Sequence, residues 1–533
     1  MTGLSVRVDG PADVPTVVAT LVDDRVASRI AAKDATLWGA EAEPEAADRL
    51  GWVDLALRSR ELLPELDGLV AGARADGLDR VVLCGMGGSS LAPEVIASGA
   101  GCPLVVLDST DPAMVGPAVS ADLERTIVVV SSKSGSTVET DSQRRAFVAA
   151  FEAAGIDAAS RIVVVTDPGS PFEELARSEG YRAVVLADPQ VGGRYSAFTA
   201  FGLVPCALAG VDVTVLLDEA AAVLADLAVD EPTNPALVLG AALARTDPLR
   251  DKIAIDDRDG GLAGFGDWAE QLIAESTGKN GTGVLPVVVE PDAPELSWPA
   301  SDILTVRVAA DPTQPPPPPP THVHVAGPLG AQMILWETAT AVAGRLLGIN
   351  PFDQPDVEEA KNAARALLDD QPTPAPADLV DGDIEIRAVG FALDGVEDLA
   401  GAVEALLSQL TATGYVAVMA FLDRLGDDVA LEAVRSTIAL RTERPTTFGW
   451  GPRFLHSTGQ FHKGGPPLGV FLQITADAGE DVEVPDRPYT FGRLIAAQAA
   501  GDANVLADHD RPVLRLHLTD RRSGVARLLE VLR

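Results

Sequence analysis

A carboxylate near the end of a predicted helix is the leading candidate for acid–base chemistry in this sequence. The segment Asp267-Trp-Ala-Glu-Gln-Leu-Ile-Ala-Glu-Ser-Thr predicts a helix that stops at Gly278. Trp268, Leu272 and Glu275 fall at i, i+4 and i+7, so Glu275 continues the apolar stripe of this helix. Burial beside a helix C-terminus raises a carboxyl pKa, as a general base near neutrality requires. The competing interpretation is a helix-end glutamate that reaches solvent.

Two segments rich in glycine and hydroxyl groups indicate a site for an oxyanion. Gly85-Met-Gly-Gly-Ser-Ser follows a predicted strand and opens a helix, although a tight turn alone also requires glycine there. Ser131-Ser-Lys-Ser-Gly-Ser-Thr-Val-Glu-Thr holds six hydroxyls and one lysine, more than a turn needs. Ser136 and Glu139 fit a capping box, which predicts a structural role for Glu139.

A third segment offers a cation. Val191-Gly-Gly-Arg-Tyr-Ser places Arg194 after two glycines, which let backbone approach closely. A guanidinium held there can stabilise a developing oxyanion, and an ordinary turn is the alternative.

The elements that position these segments indicate an α/β fold. Near-continuous apolar runs alternate with alanine-rich helical stretches, which predicts doubly wound parallel sheets flanked by helices. We expect a helical region over residues 1–78, a first α/β subdomain over 79–228 with the oxyanion site, and a second over 229–370. Residues 371–533 are expected to complete the second subdomain after a linker near 370–381. Six prolines at 315–320 predict a stiff polyproline surface loop.

Composition narrows the function classes. The 533 residues carry 41 Lys and Arg against 78 Asp and Glu, a formal net charge of −37. This acidic excess argues against nucleic acid or a membrane surface as the main partner. The cysteines Cys84, Cys102 and Cys206 have no metal-type spacing, and no secretory signal is evident, so a cytoplasmic protein without metal or cofactor is expected.

Taken together, the motifs resemble those of the glucose-6-phosphate isomerase family, whose members contain two sugar-isomerase (SIS) subdomains. GMGGSS, SSKSGSTVET, VGGRYS, QLIAESTGK and GINPFDQPDVEEAK occur in that order within about residues 80–365. The resemblance implies a small sugar phosphate as ligand and a homodimer as the assembly. It makes Glu275 the base, Arg194 the cation for the enediolate and Lys361 an aid to ring opening. It implies that the ligand is bound by a group of polar residues and glycines: Gly87, Gly88, Ser89, Ser132, Lys133, Ser134, Thr137 and Gln354.

The ring-opening histidine is harder to assign. Leu455-His-Ser-Thr-Gly-Gln-Phe resembles the family's histidine segment, but it follows the lysine motif instead of preceding it. The C-terminal part is similar to the isomerase half of transaldolase/glucose-6-phosphate isomerase fusions. We favour His456 over His322 and His324, whose alternation with valine predicts a strand. Whether His456 acts in its own chain or in a neighbouring one stays open.

Two functions remain at this point. The first is reversible isomerisation of D-glucose 6-phosphate and D-fructose 6-phosphate, with mannose 6-phosphate as a further possible substrate. In dual-specificity relatives a Thr tends to stand at the position of Gln354, which favours a glucose-specific enzyme. The second is a non-catalytic regulator that binds a sugar phosphate, which would have no use for Glu275, Arg194, Lys361 and His456 together.

Overall fold

The computed structural model describes residues 3–9, 13–244, 250–257, 260–298, 300–313, 322–370 and 376–532. The predicted polyproline run at 315–320 and part of the predicted linker lie outside these ranges. The strands in chain order are β1 (Ser5–Val8), β2 (Arg80–Gly85), β3 (Val105–Leu107), β4 (Thr126–Ser131), β5 (Ile162–Thr166), β6 (Ala183–Leu186), β7 (Lys252–Asp256), β8 (Leu285–Val288), β9 (Ile303–Ala309), β10 (Val323–Ala326), β11 (Leu379–Asp381), β12 (Ile384–Val389), β13 (Tyr415–Phe421), β14 (Thr446–Trp450), β15 (Gly469–Ala476) and β16 (Val513–Leu518).

The α-helices connect and cover these strands. In chain order they are α1 (Val14–Asp23), α2 (Val26–Ala31), α3 (Glu43–Ala47), α4 (Leu55–Arg58), α5 (Leu63–Ala75), α6 (Leu91–Gly99), α7 (Pro112–Ser120), α8 (Val138–Ala153), α9 (Pro171–Ser178), α10 (Ala200–Ala209), α11 (Val213–Ala221), α12 (Leu224–Leu227), α13 (Pro235–Ala244), α14 (Phe265–Thr277), α15 (Leu329–Leu347), α16 (Pro355–Asp370), α17 (Leu399–Leu407), α18 (Ala433–Thr442), α19 (Gly459–Gly464), α20 (Phe491–Asp508) and α21 (Arg521–Val531).

The first sheet follows the sequence-based expectation. Its order is β3-β2-β4-β5-β6, and all neighbouring strands are parallel. Every residue of β4 and β5 is buried, because helices cover both faces of these valine-rich strands. The predicted α/β class with parallel sheets flanked by helices is confirmed.

The second sheet draws one strand from the N-terminal region. Its order is β1-β10-β9-β7-β8, and β1 pairs antiparallel with β10 while the other pairs are parallel. The N-terminal region is therefore not entirely helical, because Ser5–Val8 extends this sheet at its edge. The long helix α15 follows β10, and Gly348 ends it in the left-handed region with φ 69°.

The C-terminal strands form a third sheet instead of completing the second. Its order is β11-β12-β16-β15-β13-β14; the β11–β12 and β12–β16 pairs are antiparallel, and the other neighbouring pairs are parallel. This sheet has its own core, built around Val418, Leu472 and Leu516. A separate apolar cluster, which includes Leu285 and Tyr415, packs the third sheet against the second.

The first and second sheets share one large core with the N-terminal helices, in which Trp52, Trp268 and Trp336 are fully buried. This core fixes α14, the helix that carries Glu275, between the two sheets. Across the described ranges, we find no helix that combines the length and apolarity needed to cross a bilayer.

Candidate active site

Two turns at the carboxyl edge of the first sheet bring their segments together. β2 ends at Gly85 and β4 at Ser131, and these two residues are partners in the parallel register. The chain after β2 forms a short turn over Gly87–Ser89 and enters α6. A Cβ atom on Gly88 would lie 1.9 Å from the carbonyl oxygen of Gly193. Glycine at position 88 is therefore required for the contact between this turn and the arginine turn.

The hydroxyl groups after β4 are arranged by bonds within their own loop. Ser132 Oγ donates to Thr137 Oγ1 at 3.1 Å and accepts from the Gly135 N–H at 3.1 Å. Ser134 and Ser136 bring their Oγ atoms to 2.7 Å. The loop leads directly into α8, and the N-terminus of a helix favours an anion.

A cavity of about 110 Å³ lies between this loop, α16 and α20. It brings together several site residues that the sequence analysis selected, namely Ser134, Thr137, Lys361 and His456. Further polar groups and an apolar wall complete its lining: Ser136, Val138, Glu139, Ala364, Arg365, Leu368, Leu455, Leu494 and Gln498.

Lys133 is turned away from this cavity. Its Nζ donates to the carbonyl oxygens of Val191 at 2.7 Å and Pro189 at 3.2 Å, and it lies 3.0 Å from the Asp167 carboxylate. These contacts tie the hydroxyl loop to the segment before Arg194. The ammonium therefore anchors the loop, and its expected place among the ligand-binding groups stays a prediction.

Glu139 does not form the capping box that the sequence suggested. The N-cap of α8 is Thr137, which makes no side-chain cap bond, and Glu139 Oε1 instead lies 3.2 Å from His456 Nε2. Gln498 Nε2 donates to the same oxygen at 2.8 Å. Burial acts to raise the pKa of Glu139, but the hydrogen bond and charge of His456 outweigh it and the pKa is lowered. An ionised Glu139 accepts only, so the proton of this contact belongs to His456 Nε2.

Glu275 lies in the last turn of α14 and is 4% exposed. This confirms the buried position that the helical spacing predicts, rather than a side chain reaching solvent. Its Oε2 is 3.6 Å from Arg194 Nη1 and accepts from Gln271 Nε2 at 3.3 Å. Burial raises the pKa of Glu275 above its ordinary value, and the charge of Arg194 opposes this rise in part. The carboxylate thus combines a raised basicity with a neighbouring cation.

Arg194 is held rigidly from several sides. Its Nε donates to Ser276 Oγ at 2.9 Å, and its Nη1 donates to Gln354 Oε1 at 2.7 Å. Its Nη2 donates to the carbonyl oxygens of Pro351 and Asp353 at 2.8 and 2.9 Å. The guanidinium is 3% exposed, so its position is fixed before any ligand arrives.

Lys361 stands on α16 at the other wall of the cavity. Its positive charge acts on the carboxylates of both Glu139 and Glu275 and favours their ionised forms. Gln354, just before α16, reaches the site through its bond to Arg194. The segment that carries Gln354 and Lys361 therefore lies next to the segments that carry Glu275 and Arg194, as the resemblance implied.

The two alternative histidines lie elsewhere. His322 Nδ1 contacts Thr305 and its Nε2 contacts Arg250, and burial with this arginine lowers its pKa to about 4. His324 lies in β10, in the strand that its valine-alternating context predicted. Neither lines the cavity described above, whereas His456 does.

Gln271 is a site residue that the sequence analysis missed. Its Nε2 donates to the carbonyl oxygen of His456 at 2.8 Å as well as to Glu275. A Cβ atom on Gly87 would lie 2.7 Å from this nitrogen. The amide therefore links Glu275, the loop of His456 and the glycine turn. Its spacing of one helical turn before Glu275 was the available signal.

Comparison with known proteins identifies the family. The family model for phosphoglucose isomerase matches residues 58–280, a range that includes Arg194 and Glu275 and ends before Lys361 and His456. A glucose-6-phosphate isomerase of Thermosynechococcus vestitus is 31% identical over 362 residues, which cover 56% of this chain and 68% of that protein. A probable glucose-6-phosphate isomerase of Haloarcula marismortui is 30% identical over 342 residues, 54% of this chain and 78% of that protein. This chain belongs to the glucose-6-phosphate isomerase family.

Solved structures agree with the fold of this family. A hypothetical protein of Thermus thermophilus matches with a TM-score of 0.56 and 25% identity, over 68% of this chain and 100% of that chain. A glucose-6-phosphate isomerase of Chlamydia trachomatis matches with a TM-score of 0.54 over 69% of this chain and 89% of that chain. Because the identity is only 20%, this second match supports the fold alone.

Proposed function

We propose that this chain interconverts D-glucose 6-phosphate and D-fructose 6-phosphate, with Glu275 as the base. The observation that carries the proposal is the buried pair of Glu275 Oε2 and Arg194 Nη1, 3.6 Å apart. Isomerisation requires a base for a carbon-bound proton and a cation for the oxyanion that forms beside it. A regulator that only binds sugar phosphate has no use for a desolvated carboxylate beside a fixed guanidinium.

The proton transfer follows from these two groups. Glu275 takes the proton from C2 of the open-chain aldose, and the electron pair moves to form the C1–C2 double bond while charge develops on O1. Arg194 stabilises that charge. After a proton moves from O2 to O1, Glu275 returns its proton to C1 and the ketose results. General base catalysis contributes roughly 10²–10⁴-fold to such a step.

Ring opening precedes this transfer and falls to His456 and Lys361. Because Nε2 of His456 carries the proton toward Glu139, Nδ1 is the nitrogen that can accept a proton from the sugar hydroxyl. Lys361 lines the same cavity and can donate a proton to the ring oxygen. These two groups together move the proton that opens the ring.

The phosphate end of the sugar is held by hydroxyl and amide groups. We assign this role to the turn at Gly87, Gly88 and Ser89 and to the loop hydroxyls of Ser132, Ser134 and Thr137. Hydroxyls and helix N-terminal amides can bind a dianion in a strongly acidic protein without a broad basic surface. Binding at this remote end orients the sugar over Glu275.

The direct test is a coupled assay of the full chain with glucose 6-phosphate and fructose 6-phosphate. We expect activity in both directions, and a Glu275→Gln variant should lose about 10²–10⁴-fold in kcat while still binding inorganic phosphate. Glu152→Gln, at an exposed position of α8, serves as the matched control. A wild-type chain that binds the sugar phosphates without converting them would favour the regulator. A parallel assay with mannose 6-phosphate tests specificity.

We further propose that the chain works as a homodimer, as the family resemblance implies, and that it acts in the cytoplasm. Light scattering of the purified chain measures the assembly, and fractionation of the native cell measures the location. A monomer, or a chain recovered outside the cytoplasm, would contradict the respective proposal.

A further inference from the structure

The cavity beside the hydroxyl loop has a basic wall, of which the motifs identified only Lys361. Lys361 and Arg365 lie one turn apart on α16, and both line the cavity opposite Ser134, Ser136 and Thr137. The Arg365 side chain is exposed, and its Nη1 lies 3.4 Å from Asn362 Oδ1 on the same helix. A long contact of this kind leaves the guanidinium able to reorient toward a ligand.

The negative charge beside the loop hydroxyls of the cavity favours a further cation at this end of the cavity. Glu139 lines the cavity and has a lowered pKa, so a phosphate dianion would enter beside a carboxylate. Lys133, the basic residue of the hydroxyl loop, is committed to the Asp167 carboxylate and two carbonyl oxygens. It therefore cannot turn to the ligand without breaking these contacts.

Lys361 and Arg365 lie on successive turns of α16. The charge of Lys361 acts on the carboxylates of both Glu139, beside the hydroxyl loop, and Glu275, on α14. Arg365 lies one turn further along α16, toward the carboxyl end of that helix. Its guanidinium offers two parallel N–H donors, the geometry that matches phosphate oxygens.

We propose that Arg365 binds the phosphate group of the substrate from the α16 wall, opposite the loop hydroxyls. The inference rests on the proposed function for the identity of the phosphate as that of a hexose. It adds a charged, bidentate contact to a cradle that is otherwise made of hydroxyls and amides. It also couples phosphate binding to α16, the helix that carries Lys361.

The test compares Arg365→Gln, Arg365→Lys and the control Arg522→Gln, an exposed arginine on α21. For Arg365→Gln we expect KM for both hexose phosphates and Ki for inorganic phosphate to rise by about tenfold, with kcat changed by less than about threefold. Arg365→Lys should recover part of both affinities, because it keeps the charge but loses the bidentate geometry. Arg522→Gln should match the wild type.

Two outcomes separate the proposals. Values of KM and Ki for Arg365→Gln within about twofold of those for Arg522→Gln would overturn the role of Arg365 and leave the isomerase function standing. If the wild-type chain converts neither hexose phosphate, calorimetric titration with inorganic phosphate still decides the role of Arg365. Weaker phosphate binding by Arg365→Gln supports that role, and unchanged binding refutes it.

Discussion

Nε2 of His456 lies 3.2 Å from Oε1 of Glu139, although 317 residues separate them in the chain. The contact joins the loop after β14 of the third sheet to the first turn of α8 on the first sheet. Gln498 of α20 donates to the same carboxylate oxygen. A carboxylate that fixes an imidazole in one tautomer leaves the other ring nitrogen available for proton transfer.

We therefore expect Glu139→Gln to slow catalysis. An amide can donate as well as accept, so it no longer enforces the proton on His456 Nε2. A loss of about tenfold or more in kcat for glucose 6-phosphate is expected, with Ki for inorganic phosphate little changed. The coupled assay measures both, and Glu152→Gln on the same helix is the control. Wild-type kcat in Glu139→Gln would contradict a positioning role for this carboxylate.

A second prediction concerns which chain supplies the histidine. Because His456 contacts Glu139 and Gln271 of its own chain, one chain contains all the groups of the proposed mechanism. Co-expression of Glu275→Gln with His456→Ala should then give no more activity than the two variants measured separately. Recovery of substantial activity in the mixture would mean that His456 serves the site of a neighbouring chain.

A third prediction uses two neighbouring glycine turns. Gly88→Ala places a Cβ atom 1.9 Å from the Gly193 carbonyl oxygen, so the two turns must separate. We expect a loss of about tenfold or more in kcat/KM, because Arg194 lies next to the displaced turn. Gly193→Ala is the matched control, since its Cβ would meet nothing within 4 Å. The same kinetic assay checks both, and equal activities of the two variants would refute the requirement.

A fourth prediction follows from the pKa of Glu275, which burial raises. The folded chain binds the proton of the Glu275 carboxyl group more tightly than the unfolded chain does. The stabilisation that this proton gives the fold is therefore complete at pH values below the pKa of Glu275 in the unfolded chain. This stabilisation is lost as pH rises through the higher pKa that Glu275 has in the folded chain. Relative to Glu275→Gln, the wild type should therefore become progressively less stable as pH rises above about 4, the ordinary range of a glutamate pKa.

Denaturant unfolding of both proteins at several pH values measures this difference. Glu152→Gln removes an exposed carboxylate and shows the effect of net charge alone. A difference between wild type and Glu275→Gln that stays constant with pH would contradict a raised pKa. The same raised pKa predicts that kcat falls in acid as the base becomes protonated.

Local pattern was sufficient for the elements and for much of the chemistry. The helical spacing of Trp268, Leu272 and Glu275 predicted the buried carboxylate, because a stripe at this period is forced to face the core. The valine runs predicted parallel strands, because only strands covered on both faces are apolar at every position. The order of short motifs was enough to indicate the family.

Tertiary structure decided the features that depend on distant partners. The motif context favoured His456 over His322 and His324, but only the tertiary structure brings His456 to the cavity, because its loop belongs to a third sheet with a separate core that no local pattern predicts. The sequence pattern predicted a capping role for Glu139, because Ser136 is its neighbour along the chain. The contact with the His456 imidazole, 317 residues away, cannot be inferred from local pattern. The contacts of Lys133 with Asp167 and two carbonyl groups were likewise not predictable from the sequence. Hydrogen bonds and charges are satisfied by neighbours in space rather than along the chain.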